Sequence, residues 1–452
     1  MKGLLARTPL EEIGARLGKT VVPLVASDAF VQGCRYALIA YLGYVSFALL
    51  GSYLFGAAIG ALIGGATDFG INQHWLRLGS GSDALTRQIF LRVLLVKLGL
   101  LLIQVAAFVL LIGGFWSRSF PLMMVIGFVM ANLHAFAEAG EAVGFLSYRY
   151  GLVAWMRVFV GTVMYAAPVG YAFIVGAPSG AEAIHAALRI GSFAGLLVVS
   201  GYLWKTYRML ADFPGSRGGY FTTWRAARWL GMNQLAIVVD VRAPLILLGI
   251  LLGEAAVGLY GLIQRTTAVV ELAWASLSKL LLKSYAEEAA TQGSGLLRHH
   301  VVRASWVTGL VMAVGGTAVW VGSRLLEQQG GWSQDLQTSF GLLRWATVAI
   351  GLSSLKRPVL LGLIAMRRER DVCAVNLLSA VAGLMSIPFL IWSLGIWGPI
   401  VAAVVLEAMA LLLLLSFFRA AQQRCGEGGL EPILAGDGHW VSREVAGSGQ
   451  CQ

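Results

Sequence analysis

The sequence is poor in charge. Only 13% of its 452 residues are Asp, Glu, Lys or Arg, whereas 58% are hydrophobic. Soluble domains carry about 25% charged residues, so this composition excludes a water-soluble fold. Apolar runs such as LGLLLIQVAAFVLLIGGFW (98–116) are long enough to cross a bilayer. The 56 glycines suit closely packed membrane helices. The sequence therefore predicts an all-α polytopic membrane protein.

Cysteine patterns and a leader sequence are also missing. The four cysteines have neither metal-ligand spacing nor partners on the outer side, so we interpret them as free thiols and expect no metal site. Residues 1–20 lack the apolar core of a cleaved signal peptide. Thr8, Pro9 and Glu11 instead fit a helix start, with proline at the first helical position. We expect a short amphipathic cytoplasmic segment at residues 1–20.

Enzyme signatures are absent as well. The sequence contains no GxSxG, HExxH or Walker A motif, and its outer loops are too short to carry the catalytic residues of a lipid-linked sugar polymerase. We therefore predict no catalytic residue and no cofactor. Without an ATP-binding motif, uphill transport must be driven by an ion gradient, H+ or Na+, or by product removal. The basic residues lie between the apolar runs, which argues against nucleic acid as a partner.

The apolar runs predict twelve membrane spans and the basic residues give their orientation. If the amino terminus is inside, only Arg118, Arg189 and Arg324 fall on the outer side. Because cytoplasmic loops carry the excess of Lys and Arg, both termini are predicted to be cytoplasmic. The predicted spans are about 22–43, 47–68, 93–114, 121–143, 153–174, 184–204, 230–252, 256–277, 302–322, 337–355, 372–393 and 396–417.

The two halves of the chain resemble one another. LGYVSFALLGSYLFG (42–56) aligns with LGEAAVGLYGLIQRT (252–266), and both halves place basic residues after their fourth span. An even number of spans makes such repeats parallel, with a site between them. We therefore predict six-helix lobes at 21–207 and 229–419. A cytoplasmic linker at 208–228 joins them, and a polar, glycine-rich tail at 420–452 is predicted to be disordered.

Three arginines are predicted near the middle of the membrane. Arg35 and Arg242 each lie about thirteen residues into repeat-related spans, which is a depth of roughly 20 Å. Arg265 enters the eighth span from the other side and reaches a similar depth. Arginine stays charged at any attainable pH, so these groups need counter-charges or a water-filled cavity that receives an anion. The sequence therefore predicts a central cationic cavity.

Carboxylates at comparable depth leave a second interpretation open. Asp240, Glu271 and Glu407 would neutralise the arginines as structural ion pairs. Asp240 and Arg242 lie on different sides of their helix, so Asp240 would pair instead with Arg265 on the next span.

The fourth span carries His134 and Glu138, four residues apart and on one face. They would relay a proton, or else Glu138 and Glu141 simply flank the cytoplasmic end of that span. Gly56, Gly60 and Gly64 form a GxxxGxxxG pattern that predicts close helix packing rather than a binding site. Arg344, in the outer third of the tenth span, is interpreted as a side chain that reaches toward the interface.

Several segments resemble a known family. ATDFGINQHWLRLGS (66–80), LGEAAVGLYGLIQRT (252–266) and LIAMRRERDVCAVN (363–376) are similar, in the right order, to conserved segments of bacterial polysaccharide biosynthesis flippases of the O-antigen (Wzx) type. Asp240 stands where that family often has an aspartate. Ala48 departs from the glycine that the family usually has. The wider superfamily, MATE/MOP, also includes the peptidoglycan-precursor flippase and multidrug exporters.

This resemblance implies a multi-pass transporter of the bacterial inner membrane. It would move undecaprenyl-diphosphate-linked oligosaccharide from the cytoplasmic to the periplasmic leaflet, in contact with membrane lipids and with a polymerase and chain-length regulator as further partners. Arg35, Arg242 and Arg265 would hold the anionic head. Asp240, Glu407 and Glu271 would orient an arginine or couple an ion. The alternatives are an ion-coupled multidrug exporter, a membrane glycosyltransferase or polymerase, and a structural member of a polymer-assembly complex.

Overall fold

The fold is built from helices. The computed structural model describes residues 9–72, 75, 87–115, 121–147, 149–174, 181–210, 220–266, 281, 285, 294–328, 334–366 and 368–427. Every one of these residues that lies in regular secondary structure is helical. This agrees with the fold class that the composition predicts, a polytopic all-α membrane protein.

Twelve long helical segments account for most of the described residues. They are α1 (Pro9–Val45), α2 (Phe47–Asp68), α3 (Arg87–Phe115), α4 (Pro121–Leu146), α5 (Tyr150–Ile174), α6 (Ala181–Met209), α7 (Tyr220–Leu251), α8 (described over 254–266), α9 (Ser294–Gln328), α10 (Gln334–Ala365), α11 (Glu369–Leu394) and α12 (Gly398–Glu427).

Each predicted span coincides with a described helix, except that the eighth, predicted over 256–277, is described only to residue 266. Within the described residues, nine helical stretches are long and apolar enough to cross a membrane. The last of them, Glu369–Ala421, contains both α11 and α12, joined by the 3-10 turn Gly395–Trp397. The described part of α8 is shorter than a span. The apolar runs thus place the helices correctly.

Local sequence explains several helix ends. α1 is described from Pro9 and continues without a break to Val45, so residues 9–20 and the first span form one helix. Ser46 starts α2, and its hydroxyl accepts a hydrogen bond from the Leu49 amide. α5 contains a π-helical stretch, Thr162–Ala166, just before Pro168. Proline cannot donate a helical hydrogen bond, and a π-bulge absorbs such a break.

The same helix pairs pack in each half of the chain. α1 contacts α5 as α7 contacts α11, and α4 contacts α6 as α10 contacts α12. The last two helices of each half, α5 with α6 and α11 with α12, are also neighbours. This correspondence is the pattern expected of two parallel six-helix repeats.

The glycine pattern on α2 is a packing face, as predicted. A methyl group on Gly60 would stand 2.6 Å from the Phe128 carbonyl oxygen, and one on Gly56 would overlap the Met124 carbonyl. Gly64 is similarly close to Ala135. α2 and α4 therefore approach backbone to backbone along their length, the arrangement that small residues permit in membrane helices.

The two lobes meet along the other side of α2. Near its first end, Gly51 lies against the Glu254 carbonyl of α8, and no larger side chain fits there. Near its second end, a methyl group on Gly70 would stand 2.5 Å from the Gly231 nitrogen of α7. Phe69 before it has a φ of 40°, a left-handed conformation that ends α2 and brings Gly70 to this contact. We call this contact of α2 with α7 and α8 the inter-lobe seam.

Candidate functional site

The positive charges of arginines from both lobes act on His134 of α4. Arg35 comes from α1, Arg242 from α7 and Arg265 from α8, and Arg157 of α5, which is bound to Glu141 and Asp28, acts on His134 as well. Arg35 and Arg265 also repel each other directly. The side chains of Arg35, Arg242 and Arg265 are each half-buried, although they lie deep among the helices. They therefore line a space between helices rather than a packed core.

Tyrosines surround two of these arginines. The central guanidinium carbon of Arg35 lies 5.0 Å from the ring centroid of Tyr165, a cation–π distance. Tyr53 and Tyr165 are close enough to both Arg35 and Arg265 to influence their charge, and Tyr36 acts on Arg265. Tyr53 comes from α2, and Tyr165 from the π-helical stretch of α5. Tyr53 and Tyr165 are buried, so they pack behind the arginines.

Sequence reasoning missed these tyrosines. Tyr165 lies in the π-helical stretch, and a π turn shifts the direction of the side chains that follow it. Pro168 is the signal in the sequence that could have indicated this irregularity.

The predicted carboxylates lie elsewhere. Asp240 and Glu407 are neighbours in the second lobe, and the charge that offsets them is that of Lys356. The Lys356 Nζ is 2.6 Å from Glu407 Oε2. Arg265 is not among the charges that the described residues place on Asp240. Glu271 lies outside the described residues.

This second group joins three helices. Asp240 is on α7, Lys356 on α10 and Glu407 on α12. It lies against α11 as well, since a methyl group on Gly383 would be 3.7 Å from Asp240 Oδ1. We call Asp240, Lys356 and Glu407 the second-lobe charge cluster. It contains two carboxylates and one ammonium group, so a proton or a monovalent cation would neutralise it.

The first lobe has a comparable charge cluster. The Arg157 Nε donates to Glu141 Oε1 at 2.9 Å, and another nitrogen of the same guanidinium bonds Glu141 Oε2. The third guanidinium nitrogen donates to Asp28 on α1. Arg157 therefore ties α5 to α4 and α1, and Glu141 has a structural partner. The sequence left two interpretations of the acidic residues on α4, and this contact gives Glu141 a structural role.

His134 and Glu138 face each other across one helical turn. The His134 Nε2 is 3.6 Å from Glu138 Oε1, and Glu138 is more than half exposed. The charges that act on Glu138 are those of Glu141, Asp68, Lys97 and Arg35. His134 is under the charge of the arginines. The shared face that the spacing predicts is present.

Arg344 has an acidic partner near the outer end of the second lobe. Its terminal nitrogen is 2.8 Å from Glu327 Oε2 on α9. The ion pair joins α9 to α10 at the predicted outer side of the second lobe. The interpretation of Arg344 as a side chain that reaches toward the interface is compatible with this contact and stays a prediction.

Comparison with known proteins gives the fold. No protein-family model and no curated protein matches the sequence. Among solved structures, a single-residue mutant of the Vibrio cholerae MATE transporter VcmN is 14% identical, with a TM-score of 0.62 over 93% of this chain and 98% of that one. An outward-facing multidrug resistance MATE transporter of the MOP superfamily is 11% identical, with a TM-score of 0.60 over 91% and 96%.

A flippase has the same fold. The lipid II flippase MurJ in an inward closed conformation is 12% identical to the chain, with a TM-score of 0.61 over 88% of this chain and 87% of that one. At these identities the structural similarity establishes the fold. It does not establish the substrate, which has to be argued from the residues of the site. The chain is a multi-pass membrane protein with the fold of MATE/MOP transporters and flippases.

Proposed function

We propose that the protein is a flippase. It moves undecaprenyl-diphosphate-linked oligosaccharide repeat units from the cytoplasmic to the periplasmic leaflet of the bacterial inner membrane. The observation that carries this proposal is the convergence of Arg35, Arg242 and Arg265 around His134. These groups come from both lobes of a fold that solved exporters and a lipid flippase share.

The arginines suit a diphosphate head. A guanidinium is a planar, permanently charged donor that bridges phosphate oxygens with charge-assisted hydrogen bonds. Three of them in a half-buried space would replace the hydration that the diphosphate loses in the membrane. Tyr165 lies behind Arg35 and holds it through a cation–π contact. The polyprenyl tail needs no such site, since it stays in the hydrocarbon.

The inter-lobe seam contains the two contacts that would change during transport. α2 is held against α7 at one end and α8 at the other, so the lobes are in contact toward both membrane faces along this helix. Alternating access requires one of these contacts to separate at a time. The Gly70–Gly231 contact would part toward the cytoplasm, and the Gly51–Glu254 contact toward the periplasm.

The second-lobe charge cluster supports ion coupling. Asp240 and Glu407 carry two negative charges against the single positive charge of Lys356, and burial makes the excess charge costly. Uptake of H+ or Na+ would neutralise the cluster. Glu271 keeps its predicted coupling role only as a sequence-based expectation, because it lies outside the described residues.

The exporter alternative is less well supported by the first lobe. An exporter of organic cations needs an available carboxylate. In the first lobe Asp28 and Glu141 are both engaged by Arg157. Glu138, which is exposed, lies beside His134 and under the positive charge of Arg35. A cationic drug would also meet Arg35, Arg242 and Arg265. A membrane glycosyltransferase would need polar catalytic residues in a loop, and the resemblance points to none. The polymer served is O-antigen, exopolysaccharide or capsule, with a polymerase and chain-length regulator as partners.

Reconstitution separates the two transporter functions. Purified protein in liposomes is given undecaprenyl-diphosphate-linked oligosaccharide on one side, and appearance of the sugar on the other side is followed with an impermeant lectin. The same liposomes are loaded with a cationic dye and energised with a proton or sodium gradient. We expect lipid-linked sugar to move and the dye to remain. Dye expulsion without sugar movement would establish the exporter and reject the flippase.

A further inference from the structure

Two guanidiniums stack on one indole at the predicted cytoplasmic ends of α7 and α11. The Cζ atoms of Arg228 and Arg370 are each 5.4 Å from the ring centroid of Trp229. Arg228 and Trp229 are consecutive residues of α7, whereas Arg370 comes from α11. We call these three residues the Arg–Trp cluster. None of its residues belongs to the arginine-lined space.

The cluster lies at the depth of lipid headgroups. The apolar stretch of α7 begins at Ala227 and that of α11 at Glu369, so the cluster stands at the start of both spans. All three side chains are exposed, Trp229 to 37%. Tryptophan at this level places its ring at the boundary between headgroups and hydrocarbon. The guanidiniums stacked on it are then held in the layer where lipid phosphates lie.

The helices beneath the cluster hold its geometry. One turn deeper on α7, the Asn233 Oδ1 accepts a hydrogen bond from Asn376 Nδ2 of α11 at 2.7 Å, and both asparagines are buried. Val372 and Val375 of α11 are buried beside them. This contact fixes the register of the two helices, so Arg370 is held over Trp229 by the fold itself.

The cluster has excess positive charge. The nearby carboxylate of Asp371 is 2.8 Å from Arg368 Nε, which engages it within the same helical turn. Among the described residues, neither Arg228 nor Arg370 forms an ion pair with a carboxylate. Two like charges over one ring repel each other, and an anion between them would offset that repulsion. A guanidinium at cation–π distance from a ring still has N–H groups that can donate to oxygen acceptors.

We propose that the Arg–Trp cluster binds the phosphate group of a membrane lipid on the cytoplasmic side. Resting on the function proposed above, the ligand is the diphosphate of the polyprenyl carrier before it enters the arginine-lined space. The phosphate oxygens bridge Arg228 and Arg370, and Trp229 lies against the first segment of the lipid tail. The site is a loading site, distinct from Arg35, Arg242 and Arg265.

Its position next to the inter-lobe seam supports this role. Leu230 and Gly231 directly follow Trp229, and Gly231 is in close contact with Phe69 of α2. This is the contact that must open for a substrate to enter from the cytoplasm. Trp229 and Gly231 are two residues apart and lie on different sides of α7. A headgroup held at Trp229 is therefore at the depth of the opening but across the width of the helix from it, with its tail already in the bilayer.

Binding measurements test the site directly. The full-length protein in phosphatidylcholine nanodiscs is titrated with fluorescent polyprenyl diphosphate, and separately with phosphatidylglycerol as the competing anionic lipid. We expect the Arg228→Gln/Arg370→Gln variant to bind polyprenyl diphosphate about tenfold more weakly, and Arg228→Lys/Arg370→Lys to recover part of that loss. The control is Arg303→Gln, which removes an exposed arginine at the predicted cytoplasmic end of α9. It should leave the affinity for polyprenyl diphosphate unchanged.

The outcomes separate the sources of phosphate. The loading site is supported if the double variant binds polyprenyl diphosphate more weakly and excess phosphatidylglycerol does not displace polyprenyl diphosphate from the unmodified protein. Equal competition by phosphatidylglycerol overturns the loading role, since bulk phospholipid would then occupy the cluster. Unchanged binding in the double variant, or the same loss in Arg303→Gln, overturns the site itself.

Transport kinetics separate this proposal from the flippase proposal. In liposomes, the double variant should need about tenfold more lipid for half-maximal transport while its maximal rate stays near that of the unmodified protein. A lower maximal rate with unchanged half-saturation would contradict a loading role. If the unmodified protein transports no lipid yet the nanodisc result holds, the phosphate site stands and the flippase function fails.

Discussion

The guanidinium of Arg35 lies over the ring of Tyr165, with its central carbon 5.0 Å from the ring centroid. The contact joins α1 to the π-helical stretch of α5 inside the first lobe. It gives a charge deep in the membrane a partner that does not neutralise it, since the ring attracts the cation through its quadrupole and keeps no negative charge of its own. Arg35 thereby keeps its positive charge for an anion.

Removing the ring should therefore weaken transport more than removing the hydroxyl. A desolvated cation–π contact is worth about 2 kcal/mol, so Tyr165→Leu should lower lipid translocation by about tenfold or more. Tyr165→Phe keeps the ring and should stay within about twofold to threefold of the unmodified protein. Translocation in liposomes measures both. Equal losses in the two variants would show that the hydroxyl, not the ring face, is what matters.

The inter-lobe seam should not tolerate a methyl group. In Gly51→Ala the new methyl overlaps the Glu254 carbonyl, so the contact of α2 with α8 cannot close. We expect translocation to fall at least tenfold, because each transport cycle must close this contact. Gly99→Ala is the matched control, since a methyl group there meets nothing within 4 Å. Similar rates in the two variants would mean that this contact does not close during transport.

The first-lobe charge cluster should act on stability. Arg157→Gln removes the guanidinium that bonds both Glu141 and Asp28, and breaking a buried ion pair costs about 3–5 kcal/mol. We expect a clear fall in the thermal unfolding midpoint of the purified protein in detergent. Arg189→Gln, which removes an exposed arginine, should leave it unchanged. An unaltered midpoint in Arg157→Gln would show that the cluster does not hold α1, α4 and α5 together.

The second-lobe charge cluster should determine the response to an ion gradient. Asp240→Asn removes the excess negative charge beside Lys356 and Glu407, so nothing is left to attract a coupling ion. We expect transport in this variant to proceed at the same rate with and without a proton or sodium gradient. Glu327→Gln, which removes a carboxylate from the Arg344 pair at the other end of the lobe, should still respond. A gradient response retained by Asp240→Asn would exclude this cluster from coupling.

The helices were predictable because their signal is local. Apolar runs place the described helices, and the GxxxG spacing identifies the face of α2 that packs on α4. The gathering of Arg35, Arg242 and Arg265 was also accessible, because depth follows from counting residues along spans. Each of these features depends on residues close together in the chain.

The partners of charged groups were not predictable in the same way. Lys356 and Glu407 are on different helices, and a single sequence does not reveal which faces meet. Tyr165 is turned by a π-helical stretch, and Phe69 ends α2 in a left-handed conformation, neither of which periodicity predicts. The sequence suggested an arginine as the partner of Asp240, whereas the positive charge that acts on it is that of Lys356.

The most direct test of the central claim is translocation of undecaprenyl-diphosphate-linked oligosaccharide by Arg242→Ala in liposomes. The variant must first match the unmodified protein in its unfolding midpoint, and Arg324→Ala serves as the control because Arg324 is exposed on α9. The account predicts at least a tenfold loss of translocation in Arg242→Ala, partial recovery in Arg242→Lys, and no loss in the control. Full translocation by a folded Arg242→Ala protein would contradict the claim that the gathered arginines hold the diphosphate.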